Sequence, residues 1–190
     1  TIEDPIEFMH LNKRCVIEQR EVGQDTKSFS NALRRVLRQN PDVILVGELR
    51  DRETVQTALT AAETGHLVLS TLHTNDAVQA IDRIVDLFPE AHHRQIRSQL
   101  SLTLLAVLCQ RLVRGKEGRR VLALEVLMNT QAVSNQIREG KVALLYGTME
   151  VGRKEGMQTM NQALDELLRA KKIEPREHDR YLRRESSPRS

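Results

Sequence analysis

Residues 42–50 have the sequence DVILVGELR, and this short stretch decides the fold class. Four apolar residues, Val43–Val46, stand together and are followed directly by Gly47 and Glu48. A continuous apolar run of this length is typical of a strand that is buried on both faces of a parallel sheet. The stretch therefore predicts a parallel β-strand that ends at a carboxylate, with helices packed on both sides of the sheet.

The segments on either side of this strand alternate between helical and strand patterns. The predicted strands are Cys15–Ile17, Val43–Val46 and Leu67–Leu72. The predicted helices lie between and after them, at 29–37, at Arg52–Thr64 and from Asp76 to Pro89. Asp25 or Ser28 caps the first helix and Pro41 ends it, while Gly65 closes the second. This alternation predicts an α/β fold, with a mostly parallel sheet and right-handed crossovers between its strands.

The second half of the chain has a different pattern. Residues 92–114 begin as a helix and end as a strand, which pairs with a strand at Val121–Met128 across the turn Gly115–Gly118. After Asn129 every segment is helical: 131–139, 142–149, 157–170 and, more weakly, 176–184. We therefore expect a sheet domain at 1–128, a small all-helical domain at 129–185 and a disordered tail at 186–190.

Composition narrows the classes of protein that fit. Of the 190 residues, 39% are hydrophobic but only 3% are aromatic, so the core is expected to consist of aliphatic side chains. The net charge of +3 arises largely near the C-terminus. Because a single aromatic residue, Tyr181, stands among these basic residues, a solvated helix is favoured over a nucleic-acid site that stacks bases on aromatic rings. The longest apolar run, Leu104–Cys109, is too short to cross a bilayer.

The ends of the chain and its cysteines complete this picture. The chain starts at Thr1 rather than at Met, directly before a charged motif, so we interpret it as a fragment. The two cysteines, Cys15 and Cys109, lie far apart without the spacing of metal ligands. This usage of cysteine is expected of a reducing, cytoplasmic setting.

Charged clusters recur at the ends of the predicted strands. They are the acidic segment 1–7, which contains Glu3, Asp4 and Glu7, then Glu48 after the buried run, and finally His66 and His73 on either side of the strand at 67–72. Ligands of parallel α/β sheets bind outside the carboxyl ends of the strands, so these side chains are candidates for a functional site.

Each candidate also has a purely structural interpretation. Glu48 alone could be a solvated strand end, and His66 follows Gly65, where it could close a helix. A zinc site at the two histidines is rejected, because His66 and His73 are seven residues apart at opposite ends of one strand. The order and spacing of the clusters are more specific than any single residue.

Taken together, the motifs resemble those of the secretion and pilus superfamily of hexameric ATPases. The matching segments are Thr-Ile-Glu-Asp-Pro-Ile-Glu at 1–7 for the Asp box, 42–51 for the Walker B motif, Thr-Gly-His-Leu-Val-Leu-Ser-Thr-Leu-His-Thr-Asn at 64–75 for the His box, and 132–139 and 156–162 for the C-terminal motifs of the retraction ATPases, the PilT family. One family motif is missing: no G-x-x-x-x-G-K-[ST] phosphate loop occurs in the chain.

The resemblance implies a RecA-like domain that binds ATP and Mg²⁺. Glu48 occupies the Walker B position, where it would polarise the attacking water. Glu7, with help from Glu3 or Asp4, would supply outer-shell charge for Mg²⁺, as the Asp box implies.

The remaining candidates are histidines and arginines. His66 and His73 would donate hydrogen bonds towards the γ-phosphate and report its presence. Arg20 and Arg50 are further candidates for reaching the nucleotide, and a subunit interface is one place where they would do so.

The function implied by the resemblance is a homo-hexameric motor that retracts type IV pili and drives twitching motility. It would act on the pilin fibre indirectly, through a platform protein of the inner membrane, from the cytoplasmic face and without nucleic acid. A fragment without the phosphate loop is expected to be inactive alone. The alternatives are a type II secretion or pilus-assembly ATPase, although the Cys-x-x-Cys pairs frequent there are missing, and a non-hydrolytic truncated binding module.

Overall fold

The computed structural model describes residues 1–116 and 118–182. Within them, strands alternate with helices in the first half, and helices follow a β-hairpin in the second half. The strands are β1 (Ile2–Glu3), β2 (Arg20–Glu21), β3 (Val43–Val46), β4 (Leu67–Ser70), β5 (Ala106–Arg114) and β6 (Arg120–Met128). The α-helices are α1 (Phe29–Val36), α2 (Arg52–Glu63), α3 (Ala77–Asp86), α4 (Glu90–Thr103), α5 (Gln131–Arg138), α6 (Leu145–Val151), α7 (Met160–Arg169) and α8 (Pro175–Tyr181). Short 3-10 turns lie at Leu37–Gln39, Val142–Leu144 and Gly152–Glu155.

Four short strands form the parallel sheet. Their order is β2-β1-β3-β4, and each neighbouring pair runs in the same direction. The pairing of β3 with β4 runs in register from Val43 opposite Leu67 to Val46 opposite Ser70. Parallel strands that follow one another through helices bring their carboxyl ends to one edge of the sheet. The predicted α/β fold with a mostly parallel sheet is confirmed.

Local capping sets the helix boundaries in this half of the chain. Ser28, and not Asp25, caps α1, since its side chain accepts the N–H of Asn31. Asp51 caps α2 in the same way and receives the N–H of Thr54 at 2.9 Å. Gly65 follows the end of α2 with φ of 98°, a left-handed conformation that glycine adopts at little cost. The predicted closing role of Gly65 is therefore confirmed.

The core of the sheet lies on one of its faces. Buried residues from β1, β3, α1 and α2 pack together there: Ile2, Phe29, Ala32, Leu33, Ile44, Val46, Ala58 and Ala61. Full burial of a side chain such as Leu33 stabilises the fold by about 1.5–3 kcal/mol. The expectation that β3 is buried on both faces is wrong. Successive side chains point to opposite faces, and Val43 is 52% exposed while Ile44 is 2% exposed.

The predicted strand at Cys15–Ile17 is also wrong. Those residues lie in an irregular segment, and the second strand of the sheet is Arg20–Glu21 instead. The N–H of Ile17 donates to the side-chain oxygen of Asn12 at 2.7 Å, which is a local turn contact. Val16 is 79% exposed, so the β-branched run has no sheet to bury it.

The second half of the chain begins with an antiparallel hairpin. β5 pairs with β6 along its whole length, from Ala106 opposite Met128 to Arg114 opposite Arg120, as the sequence predicted. Helices α5 to α8 follow, so the helical C-terminal part of the prediction is confirmed. α7 packs on the hairpin through one buried cluster: Val113, Ala123, Met160, Ala163, Leu164 and Ile173.

The chain divides into two compact units. The first contains Thr1–His73 and Arg83–Thr103, and the second contains Thr74–Asp82 and the chain from Leu104 onwards. The tail predicted at 186–190 lies outside the described residues. None of the helices in the described part of the chain has both the length and the apolar character that crossing a membrane requires.

Candidate active site

The carboxyl edge of the sheet brings two sequence motifs together. Val46 lies opposite Ile2 on one side and Ser70 on the other, so the residues that follow these strands share one edge. At Gly47 the strand comes close to β1, and its N–H donates to the carbonyl of Ile2 at 2.8 Å. A Cβ at this position would lie 3.2 Å from that carbonyl oxygen, so glycine permits the close approach.

Glu48 is the central carboxylate of this edge. It is only 8% exposed, although its charge faces the end of the strand. Its Oε1 forms an ion pair with the guanidinium of Arg50, and its Oε2 lies 3.3 Å from Nε2 of His73. A buried carboxylate requires such compensation, because leaving it unpaired would be costly.

The two partners of Glu48 differ from it in accessibility. The side chain of Arg50 is 63% exposed and that of His73 is 79% exposed. Contacts made by exposed side chains contribute little to stability because water screens them, so these contacts hold Arg50 and His73 only weakly. The arrangement joins one buried carboxylate to two exposed basic side chains.

Two hydroxyl groups fasten the segment of His73 to the segment of Glu48. Ser70 Oγ donates to the carbonyl of Val46 at 2.7 Å, and Thr71 Oγ1 donates to the carbonyl of Gly47 at 2.5 Å. Neither hydroxyl residue was among the predicted site residues. The sequence contains the signal, because two consecutive hydroxyl residues stand at the end of the strand, two residues before a candidate histidine.

The acidic segment lies beside the same edge through β1. Glu3 accepts hydrogen bonds from Thr1 Oγ1 at 2.5 Å and from Gln19 Nε2 at 3.0 Å. Burial alone would raise the pKa of Glu3, but these two hydrogen bonds lower its pKa below the usual value. Asp4 and Glu7 are exposed. The carboxylate of Glu3 is therefore bound by Thr1 and Gln19, while Asp4 and Glu7 face solvent.

His66 is not brought to this group. It precedes β4, whereas His73 follows it, and the four strand residues between them span about 13 Å. Its Nδ1 lies 3.0 Å from the carbonyl oxygen of Ala61 and 3.1 Å from Oγ1 of Thr64. These contacts are at the C-terminal end of α2, where carbonyl groups lack helical partners.

Arg20 is likewise separate from Glu48. It lies on β2, and β1 stands between β2 and β3 in the sheet. Its guanidinium donates to Gln39 Oε1 at 2.9 Å and lies 3.6 Å from the carboxylate of Glu18. Within residues 1–116 and 118–182, no three His, Cys, Asp or Glu side chains gather as the ligands of a metal ion would.

Comparisons with known proteins identify the family of the chain. A sequence model of the family described as "Type II/IV secretion system protein" matches residues 1–187. The type IV pilus retraction ATPase PilT of Pseudomonas aeruginosa is 52% identical over 180 residues, which cover 95% of this chain and 52% of that protein. A twitching motility protein of Neisseria gonorrhoeae is 52% identical over 176 residues, covering 92% of this chain and 47% of the relative.

A solved structure gives the same result for the fold. The crystal structure of the pilus retraction motor PilT with bound ADP superposes with a TM-score of 0.87 at 48% identity, covering 98% of this chain and 52% of that one. The chain thus spans about half the length of the proteins it matches. On the match over residues 1–187, the chain belongs to the type II/IV secretion system protein family.

Proposed function

We propose that this chain is the part of an ATP-hydrolysing motor for type IV pilus retraction that carries the catalytic carboxylate. The observation that carries the proposal is Glu48, a buried carboxylate at the carboxyl end of a parallel strand, held between Arg50 and His73. The similarity to a retraction ATPase and to a twitching motility protein supports the same function.

Glu48 acts on the attacking water. A carboxylate in this position accepts a hydrogen bond from water and orients it for attack on a phosphate. Because Glu48 is anchored at the end of β3, its position changes little when its partners leave. Fixed geometry of this kind lowers the barrier, since the reacting groups need no further ordering.

His73 and Arg50 respond to the nucleotide. Both are exposed donors, and both contact Glu48 in the structure described above. A phosphate group offers them a stronger negative partner than a single carboxylate does. We infer that they exchange Glu48 for phosphate oxygens, which frees the carboxylate for water. For Arg20 and His66 we propose the same kind of role, contact with the nucleotide, although each has other partners in the structure.

Mg²⁺ fits the chemistry of the acidic side chains at this edge. Bound together with ATP, it would compensate the charge of the phosphate oxygens. Glu7 and Glu48 provide hard carboxylate oxygens, and we propose that both act on the ion through water rather than as direct ligands. Asp4 adds negative charge beside Glu7. Glu3 accepts hydrogen bonds from Thr1 and Gln19, and from that position it adds negative charge near the proposed ion.

The oligomeric state, the location and the partners are proposed from the resemblance to the family. We propose a homo-hexamer at the cytoplasmic face of the inner membrane that acts on the pilin fibre through a platform protein. The predicted division at residue 129 assigns catalysis to the sheet and force transmission to the helices of 129–185. The phosphate loop would come from a segment outside this sequence, in which no G-x-x-x-x-G-K-[ST] occurs.

The test is restoration of movement. The full-length protein is expressed in a host whose own retraction ATPase is deleted, and twitching is measured together with phosphate release from the purified protein. Restored twitching with ATP-dependent phosphate release supports retraction. ATP hydrolysis that restores secretion or pilus assembly instead would place the protein with the other motors of the family. No hydrolysis would leave a non-hydrolytic binding module.

A further inference from the structure

Glu125 is a fully buried carboxylate in the middle of β6. Its neighbours on the same strand face, Ala123 and Leu127, belong to the core, and Glu125 itself is 1% exposed. Its Oε1 accepts the N–H of Ala77 at 2.8 Å, and its Oε2 accepts the N–H of Met160 at 3.2 Å. Ala77 and Met160 are the first residues of α3 and α7, so one carboxylate holds the starts of two helices.

The chemistry of a helix start explains why a carboxylate occupies this position. The first amide groups of a helix have no helical acceptor and carry partial positive charge, which an anion stabilises. Burial raises the pKa of Cys109, opposite Glu125 in the hairpin, to about 12, and the negative charge of Glu125 is the next cause. A carboxylate at this position therefore suits both helix starts.

The two helix starts are fastened to β6 in different ways. Before α7, the backbone of Gln158 pairs with that of Val126 in both directions, at 2.7 and 3.0 Å. Thr159 then closes a capping box on α7. The start of α7 is thus attached to the hairpin by backbone hydrogen bonds. The start of α3 is attached to the same hairpin by the side chain of Glu125.

We propose that Glu125 is a positioning residue for His73. Only residues 74–76 separate His73 from Ala77, whose N–H Glu125 holds. Fixing the first turn of α3 shortens the length of chain through which His73 can move. In the other direction, a displacement of His73 on nucleotide exchange pulls on a helix start that is joined to the start of α7. This inference rests on the proposed role of His73 in ATP hydrolysis.

Glu125→Gln is the informative substitution, and Thr159→Ala is its matched control. Gln keeps the shape, but one acceptor oxygen becomes an NH₂ group, so one helix start loses its partner. Thr159→Ala weakens the cap of α7 and leaves the contact to α3 intact. Both substitutions are made in the full-length protein, and the melting temperature of each variant is recorded.

Turnover distinguishes positioning from plain stability. We expect Glu125→Gln to lower kcat for ATP roughly 10-fold with KM within about twofold, because a displaced group costs rate more than binding. Thr159→Ala, at a similar melting temperature, should leave kcat within about twofold. In a His73→Ala background, Glu125→Gln should cause no further loss, since coupled residues are not additive. Equal losses in both single variants, or additive losses with His73→Ala, would overturn the proposal.

Hydrogen exchange tests the same contact without relying on ATP hydrolysis. The amides of residues 74–80 should exchange at least about 10-fold faster in Glu125→Gln and at an unchanged rate in Thr159→Ala. Unchanged exchange at 74–80 would overturn the proposal even if turnover falls. If the parent protein hydrolyses no ATP, the proposed function fails. The amide exchange rates at 74–80 then show by themselves whether Glu125 holds the start of α3. Should Glu125→Gln not fold, Glu125→Asp keeps the charge on a shorter side chain and should change kcat and exchange in the same direction.

Discussion

His73 Nε2 lies 3.3 Å from Glu48 Oε2, although the two residues follow different strands of the sheet. The contact arises because β3 and β4 are parallel and in register, and because Thr71 is hydrogen-bonded to the carbonyl of Gly47. The side chain of Glu48 is almost completely buried while that of His73 is exposed. The carboxylate is thus the buried member of the pair, and the imidazole is the exposed member.

Loss of the Glu48 carboxylate should stop hydrolysis without preventing nucleotide binding. In the full-length protein, we expect Glu48→Gln to bind ATP normally and to lose about 10²-fold or more in turnover, as for loss of a positioned base. Phosphate release and equilibrium binding of a labelled nucleotide are measured on the same preparation. Turnover close to that of the parent protein would remove Glu48 from the mechanism.

The two histidines of the His box should behave differently. We expect His73→Ala to lower turnover at least about 10-fold, since it removes a donor beside the catalytic carboxylate. His66→Ala should instead lower stability by about 0.5–1.5 kcal/mol, the value of an ordinary hydrogen bond, because its partners are at the end of α2. Turnover and denaturant unfolding of both variants check this. A larger loss of turnover in His66→Ala would restore its predicted catalytic role.

The 190-residue chain alone should bind ATP weakly or not at all. Tight binding of phosphates depends on the backbone N–H groups of a glycine-rich loop and of the helix that follows it. No such loop motif occurs in this sequence. A fluorescence titration with a labelled nucleotide tests the expectation, and circular dichroism confirms that the chain is folded. Micromolar affinity would contradict it.

Helix α5 should separate movement from hydrolysis. Val133 and Ile137 are completely buried, whereas Arg138 and Glu139 are exposed, where Glu139 pairs with Lys141 at 2.7 Å. Replacing Arg138 and Glu139 with Ala in the full-length protein should leave ATP turnover within a few-fold and abolish pilus retraction. The reason is that these side chains present a charged surface suited to a partner rather than to the core.

A paired assay of phosphate release and twitching decides the role of α5. If both activities survive, the exposed face is only solvated. If both fail together, the helix supports folding or assembly instead. Val133→Ala is the control for folding, because it removes buried methyl groups and should lower stability by about 1–3 kcal/mol.

Docking of the last described helix should weaken as pH rises. His178 on α8 bonds to Asp165 of α7 at 2.7 Å and to Asp179 at 3.1 Å. The hydrogen bond to Asp165, and then that to Asp179, raises the pKa of His178 above its ordinary value. A raised pKa means that the charged form stabilises the folded state. This contribution is complete below the unfolded pKa of about 6.5 and is lost as pH rises through the folded pKa.

Amide hydrogen exchange measures the stability of α8 separately from that of the rest of the chain. Amide exchange of α8, corrected for the intrinsic effect of pH, should show protection that falls between pH 6 and pH 9. In His178→Gln the protection should be lower at pH 6 and should no longer depend on pH in this range. Equal pH dependence in the two proteins would show that another group is responsible.

The sequence predicted the sheet and the group at its edge, because long-range order in a parallel sheet follows from local patterns. An apolar run that ends in Gly47-Glu48 and another that leads to His73 must meet if their strands are parallel neighbours. The failure at Cys15–Ile17 has the converse cause: β-branched residues favour a strand, but only a partner makes one. Nothing in that segment's own sequence shows whether such a partner exists.

Sequence patterns do not determine which side chains contact one another. Arg50 was predicted to approach a nucleotide, but its pairing with Glu48 depends on rotamers that the spacing of residues does not determine. The position of Glu125 is visible in the sequence pattern. It occupies the inward-facing position of an alternating strand, between Ala123 and Leu127, where a carboxylate requires a buried partner.

The open side of β4 has a consequence for handling the isolated chain. β4 ends the order of strands in the described sheet, and Leu67 and Leu69 on it are 41% and 46% exposed. A strand with unpaired backbone groups and apolar side chains is a template on which another strand can add. Solutions of the chain should therefore become turbid as concentration or temperature increases. A charged substitution such as Leu69→Lys should raise solubility, because like charges resist edge-to-edge pairing.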